Sequence, residues 1–197
     1  MMKPAKIIIV MQKKDSIRQI QQLLFKSGHQ VIHSCQAGNE ALLATRSMMP
    51  DMVIVNETLS DYQGMDLAQI MIQDQLCGVI LLASPAQKAY VEKKMESADF
   101  ICLSKPIQGV LLEHSVEMLH RTLHHIRKLE QTVIKMKTKM DNRKLIEKAK
   151  GLIMEKLEMT ETLAYREIQK KSMDTGKNMA EVAEAIICMF QQEETEK

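Results

Sequence analysis

The chain has 197 residues, of which 45% are apolar, 26% charged and 3% aromatic, and its formal net charge is +2. That length accommodates one or two domains and that apolar share can build a core, which excludes wholesale disorder. No apolar run approaches the roughly 18–20 residues of a membrane span. The run at 7–10 is too short for a signal-peptide core and no small-residue cleavage site follows it, so the chain reads as soluble, uncleaved and cytoplasmic, with no membrane partner.

In chain order, the first 106 residues alternate between β-rich runs and helical patterns. A β-branched run at 7–10 is followed by Ile17, Ile20 and Leu24 at helical spacing. Then come a short run at 31–32, a helical stretch at 41–48 and an apolar run at 52–55. Leu67, Ala68 and Met71 mark a third helix, followed by a run at 79–82, a weaker helix over 89–95 and a last run at 100–103. Apolar strands separated by helices indicate βαβ units and a parallel sheet covered on both faces. Five of them predict an α/β, flavodoxin-like domain over residues 1–107.

After Pro106 the strands stop. Between 108 and 140 there is no Pro, and Gly109 is the sole Gly. Leu112, Val116, Leu119, Leu123 and Ile126 follow a 4-3-4-3 rhythm; Ile126, Leu129, Val133, Met136 and Met140 then follow 3-4-3-4, with a stammer where the two meet. A helix of this length, about 50 Å at 1.5 Å per residue, cannot bury its stripe against itself. The spacing predicts a coiled-coil helix over 108–142 that makes a homodimer through this seam, or else a hairpin with another helix of the chain.

The tail predicts a small all-α domain of three helices over 143–190, then an acidic tail at 191–197. The first helix, 143–157, places Ile146, Ala149, Ile153 and Leu157 on one face. The second starts after Thr160, an N-cap with Glu161 in the first turn, and runs to about Met173, before the turn residues Asp174, Thr175 and Gly176. The third begins at Asn178, with Glu181 in capping-box position and Met179, Val182, Ala183, Ile186 and Phe190 at helical spacing.

Charge is uneven. Residues 1–110 carry 11 basic and 10 acidic side chains, whereas 121–150 carry 10 basic against 3 acidic. Such a block points to a polyanion partner or to a solvated helix face. The four cysteines (35, 77, 102 and 188) form no C-x-x-C pair, so reduced and mostly buried thiols are expected rather than disulfides or structural zinc. Most of the 17 methionines are expected in packing, with a Met-rich sensor surface as the alternative.

Pro50-Asp51-Met52-Val53-Ile54-Val55 leading into a loop, Gly64 in that loop, Ser84 after the fourth strand and Lys105-Pro106 after the fifth resemble a response-regulator receiver over residues 5–120. The resemblance implies an aspartate at the end of the third strand that takes a phosphoryl group. It also implies two acids after the first strand that hold Mg²⁺, and the Ser/Thr and Lys positions that match Ser84 and Lys105. Here the phosphoacceptor position is Asn56 and the metal positions are Met11 and Gln12. An amide is no carboxylate nucleophile, and a thioether with an amide is a poor ligand set for a hard cation. Glu57 reads as a poor substitute, because neighbouring strand residues point to opposite sides. The expectation is a pseudo-receiver without aspartyl phosphorylation.

Arg143, Ile146, Ala149-Lys150-Gly151, Met154, Ala164-Tyr165, Ser172-Met173 and Val182-Ala183 resemble the ANTAR domain of transcription antitermination regulators, most specifically in RKLIEKAKGLIME and EVAEAI. The resemblance implies a dimer that binds paired stem-loops of nascent leader RNA and prevents a terminator hairpin from forming. Lys144, Lys148, Lys150, Arg166, Lys170 and Lys171 are candidate RNA contacts, or else solvated charges. Tyr165 is a stacking platform for a loop base or a core residue. Gly151, costly within a helix, implies close approach of a neighbouring helix or of RNA.

His120 and His124 lie four apart, with His114 and His125 near, but without an evident third ligand they read as surface or seam residues. No catalytic constellation or Gly-rich phosphate loop is seen, so neither an enzyme nor a cofactor is expected. A sensor or regulator protein acting on the pseudo-receiver is expected to control the RNA-binding tails. The rival readings are an interaction scaffold that does not touch nucleic acid and a DNA-binding response regulator.

Overall fold

The computed structural model describes residues 3–95 and 99–195. The chain runs β1 (Lys6–Val10), α1 (Lys14–Lys26), β2 (Gln30–Cys35), α2 (Gly38–Met48), β3 (Met52–Asn56), α3 (Gly64–Gln73), β4 (Gly78–Ala83), α4 (Pro85–Lys94), β5 (Phe100–Ser104), α5 (Gly109–Leu157), α6 (Glu161–Thr175) and α7 (Met179–Thr195). It divides into two compact units, with the boundary after Arg127.

In the first unit the five strands form a parallel sheet in the order β2-β1-β3-β4-β5. Side chains alternate across each strand, so the apolar runs feed two cores. Ile8, Val10, Val53, Val55, Val79 and Leu81 pack on one face with Ala41, Leu67, Ala68, Met71 and Val91 from the helices. Ile7, Ile9, Met52, Ile54, Ile80 and Leu82 pack on the other with Ile17, Ile20 and Leu24 of α1. The edge strand β2 is the polar one, and of its residues only Cys35 is buried.

That second core also contains Leu112, Val116, Leu119 and Leu123. Here the structure corrects the expected seam. The first half of the apolar stripe is closed by the sheet of its own unit, with all four residues at 7% exposure or less. A Cβ on Gly78 would lie 2.7 Å from Leu123 and 3.2 Å from Leu119, so α5 is seated directly on the start of β4. The first unit therefore extends to Arg127 and does not end at 107.

The second unit is built from the later part of α5 with α6 and α7, around Ala149, Ile153, Ala164, Ile168, Val182, Ala183, Ile186 and Ile187. The expected separate helix at 143–157 is the end of α5. No Pro or Gly lies between 128 and 150 to interrupt it, and it stops where Glu158 takes φ +53°. The cap of α7 forms as its sequence predicts: Asn178 Oδ1 accepts from the N–H groups of Ala180 (3.0 Å) and Glu181 (2.9 Å), while Glu181 Oε2 accepts from Asn178 N–H (3.2 Å). Residues 196 and 197 of the acidic tail lie outside the described residues.

Cys35, Cys77 and Cys102 are buried free thiols and Cys188 is exposed. Burial pushes the thiols of Cys35 and Cys77 up to about 12 and that of Cys102 to about 11. Among the described residues no helix is long and apolar enough to cross a membrane.

Candidate functional site

The C-terminal ends of β1, β3, β4 and β5 meet at the point where strand order reverses, the usual ligand position in an open α/β sheet. Asn56 ends β3. Its Oδ1 accepts from Lys105 Nζ at 3.1 Å, and its Nδ2 donates to the Thr58 carbonyl at 2.9 Å. A cavity of about 520 Å³ opens here, lined in part by Met11, Gln12, Lys13, Ser16, Asn56 and Lys105. Met11 is buried; Gln12 is exposed, and its carbonyl accepts from the Gln36 side chain at 3.1 Å. The divalent cation implied by the receiver resemblance does not fit this donor set, since no carboxylate lines the cavity. Among the described residues there is no group of three or more His, Cys, Asp or Glu arranged to hold a metal ion.

Glu57, read from the sequence as a poor substitute for the acceptor, meets Lys105 as Asn56 does, although the two are strand neighbours. Its side chain is only 14% exposed and pairs with Lys105 Nζ through Oε1. Its Oε2 accepts from the Ser84 backbone N–H at 2.7 Å. The alternation argument fails because β3 stops at Asn56. Beyond the strand end no sheet separates the two faces, and the longer Glu57 side chain reaches the start of α4. Burial pushes its carboxyl up, but bonds from Lys105 and from Ser84 outweigh burial and hold it below the ordinary glutamate range.

The β3–α3 loop fixes this arrangement. Glu57 N–H donates to the Leu82 carbonyl (2.9 Å), and the Glu57 carbonyl accepts from Gly64 N–H (2.7 Å). A Cβ on Gly64 would lie 2.1 Å from the Asn56 carbonyl oxygen, so only glycine can begin α3 this close to β3. In the same loop, Asp61 accepts from the N–H groups of Gly38 (2.7 Å) and Asn39 (2.9 Å) at the start of α2, which lowers its carboxyl from the usual range.

In the second unit Lys144, Lys148, Gly151, Arg166, Lys170 and Lys171 are exposed, and Tyr165 is 45% exposed rather than in the core. Lys144, Lys148 and Gly151 share one helical face by their spacing, as do Arg166 and Lys170. Lys150 differs. Its side chain is 11% exposed and pairs with Glu147 (2.5 Å) and Glu161 (2.8 Å), which raise its affinity for its proton. It ties α5 to α6 and leaves the exposed set. Among the described residues a Cβ on Gly151 would meet nothing within 4 Å, so no neighbouring helix described there accounts for the glycine.

Further along the expected seam, Ile126 is half-buried, whereas Leu129, Val133, Met136 and Met140 are all exposed. His120, read from sequence as a surface or seam histidine, is instead buried beside His29, with the rings edge-on at 6.2 Å.

Known proteins align with both units. The description "Response regulator receiver domain" matches residues 7–117, and "ANTAR domain" matches residues 135–187. The chain is 26% identical over 184 residues to the transcriptional regulatory protein PdtaR of Mycobacterium tuberculosis, covering 93% of this chain and 90% of that one. It is 31% identical over 70 residues to the nitrate regulatory protein of Klebsiella oxytoca, covering 36% of this chain and 18% of that one. The signal receiver domain of an HD domain-containing protein from Pseudomonas fluorescens Pf-5 superposes with a TM-score of 0.57 at 23% identity, covering 65% of this chain and 95% of that one; this similarity concerns the fold. The chain belongs to the response regulator receiver family and, through its C-terminal ANTAR domain, is an ANTAR response regulator.

Proposed function

We propose that this protein is an RNA-binding transcription antitermination regulator that acts as a dimer on paired stem-loops of nascent leader RNA in the cytoplasm. The observation that carries this reading is the ANTAR match over 135–187 on a unit that exposes Lys144, Lys148, Arg166, Lys170, Lys171 and Tyr165. Cations attract the phosphate backbone, and an exposed aromatic offers a stacking surface for an unpaired loop base.

The dimer seam lies on α5 at Ile126, Leu129, Val133, Met136 and Met140, whose apolar side chains are not buried within the chain. A second copy in register covers them as a short coiled coil. Two tails on one dimer gain avidity for twin hairpins only where the spacing matches.

The receiver acts without aspartyl phosphorylation, because its acceptor position is Asn56 and its metal positions are Met11 and Gln12. Its control passes to a partner protein or ligand. In functional order the chain is a pseudo-receiver, a dimerisation stretch of α5, the ANTAR unit and an acidic tail.

Filter binding of the full chain to a twin-hairpin RNA, across a salt titration, tests the reading. A steep salt dependence with loop-sequence preference is expected. Equal binding to duplex DNA, or no binding to any hairpin, overturns it. Incubation with radiolabelled acetyl phosphate is expected to leave the chain unlabelled.

A further inference from the structure

We propose that the cavity between α1 and the start of β2 binds a small carboxylic acid with an apolar body, its carboxylate on Arg18 and its body between Phe25 and His29. The proposal deepens the reading that a ligand controls the receiver by naming that ligand's class, but its test involves no RNA, so either can fail alone.

The cavity measures about 730 Å³, within the roughly 300–1,000 Å³ of small-molecule sites, and its walls are mainly apolar. It opens at the amino-terminal edge of the sheet, the edge opposite Asn56. Pro4, Phe25 and Val31 supply the apolar surface, and the described residues leave Phe25 82% exposed. Arg18 precedes Phe25 by seven residues on α1, which puts the two on one face about 10 Å apart. That separation calls for an elongated ligand with its charge at one end. The Arg18 guanidinium already takes a carboxylate, Asp15, at 4.0 Å; both side chains are largely exposed, so the pair is weak and exchangeable. The amides of Gln21, Gln22 and Gln30 line the rest of the cavity and offer neutral hydrogen bonds.

The inner wall is preformed. His29 Nδ1 accepts from the Ala5 N–H at 3.3 Å, and the Ala5 carbonyl accepts from the Gln30 N–H at 2.9 Å. The ring proton therefore sits on Nε2, which is buried and has no hydrogen-bond partner among the described residues. This orphaned nitrogen marks His29 as a polar group that the fold itself does not satisfy. The His29 ring stands edge-on to His120 of α5 at 6.2 Å, so a ligand seated against His29 reaches α5. Among the described residues a Cβ on Gly28 would meet nothing within 4 Å, which leaves the mouth open at that turn.

Amide NMR of the full-length ¹⁵N-labelled protein tests this, with 4-phenylbutyrate as the probe and 4-phenylbutanol as its uncharged control. At neutral pH the acid is expected to shift the Gly28 and Val31 amides saturably, and the His120 ring protons with the same midpoint. The alcohol is expected to bind about fivefold more weakly, the upper end of what an exposed ion pair contributes. In R18Q the acid is expected to fall to the affinity of the alcohol, and in F25A both are expected to weaken together. Both positions are exposed, so neither change touches the core. The proposal is overturned by acid shifts that do not saturate, by equal binding of acid and alcohol to the wild type, or by a preference for the acid that survives R18Q. Unchanged binding in F25A, or His120 signals that stay in place, overturns it as well.

Discussion

Asp51 and Arg127 stand 76 positions apart in sequence, yet Arg127 Nη1 donates to Asp51 Oδ1 at 2.7 Å, and the second Asp51 oxygen accepts from Lys6 N–H at 2.9 Å. One carboxylate thus joins the start of β1, the approach to β3 and the last residue of the first unit. Burial pushes the Asp51 carboxyl up, but the bonds from Lys6 and Arg127, with the nearby charge of His120, bring it below the usual aspartate range. Asp51→Ala is expected to cost about 1–3 kcal/mol, because it removes the charged acceptor shared by the Lys6 N–H and Arg127. Arg127→Ala, at the exposed end of the pair, is expected to cost no more than about 1 kcal/mol. Urea unfolding followed by circular dichroism measures both.

The same cluster sets an acid limit. His120 is held below the usual histidine range, first by burial and then by His29, His124 and Arg127, against the opposing pull of Asp51. A histidine whose folded value is depressed contributes stability above its unfolded value, near 6.5, and loses that contribution as pH falls below it. A depressed aspartate follows the same sign lower down, with its contribution lost below about pH 5. Unfolding free energy is therefore expected to fall between pH 7 and pH 5.5, and to fall again below pH 5. His120→Gln is expected to flatten the upper part alone. An unchanged upper slope in that variant would remove His120 from the account.

The two halves of the α5 stripe should respond oppositely to substitution. Leu119→Ala removes a core residue of the first unit and is expected to cost about 2–5 kcal/mol of stability. Val133→Lys and Met136→Lys alter exposed positions and are expected to leave thermal unfolding of the monomer unit nearly unchanged. On the proposed function, those two variants shift the protein from dimer to monomer in sedimentation and weaken twin-hairpin binding. Dimerisation that survives both substitutions excludes this stretch as the seam.

This contrast shows what the sequence could reveal. Strands were legible because runs such as Ile7–Ile8–Ile9 and Val53–Ile54–Val55 are apolar on both faces, which only a doubly covered sheet requires. A 4-3-4-3 rhythm specifies a helix with one buried stripe, but not what buries it. For Leu112 to Leu123 the cover is Ile80, Leu82 and their neighbours, whereas Val133, Met136 and Met140 are left exposed by the described residues. The partners of Glu57 were hidden for a different reason: strand alternation does not apply past the end of β3, where its backbone is bonded to Leu82 and Gly64. The Lys150 pairing was hidden because Glu161 lies on another helix and only folding brings it near.

Gly151 separates helix stability from use of the helix surface. It sits within α5, exposed, with open space where a Cβ would be. Gly151→Ala is therefore expected to stabilise the second unit by about 0.5–1 kcal/mol, visible as a higher thermal midpoint. On the proposed function the same change weakens hairpin binding, because the added methyl obstructs an approach that none of the described residues occupies. A variant that is both more stable and equally tight would leave the glycine without a role in binding.

Lys148 and Lys150 lie two residues apart and should behave as different kinds of residue. Lys148 is exposed and free to meet phosphate, so Lys148→Ala should lower hairpin affinity evenly across loop sequences. It should also reduce the slope of log affinity against log salt by about 0.7–1, the contribution of one phosphate contact. Lys150 already holds Glu147 and Glu161, so its charge is neutralised within the protein. Lys150→Ala should lower the thermal midpoint of the second unit and leave the salt slope unchanged. Its effect on affinity should be reproduced by Glu161→Ala, which breaks the same link between α5 and α6 from the other side. A salt slope that falls in Lys150→Ala as it does in Lys148→Ala would mean that the ammonium leaves its carboxylates for RNA.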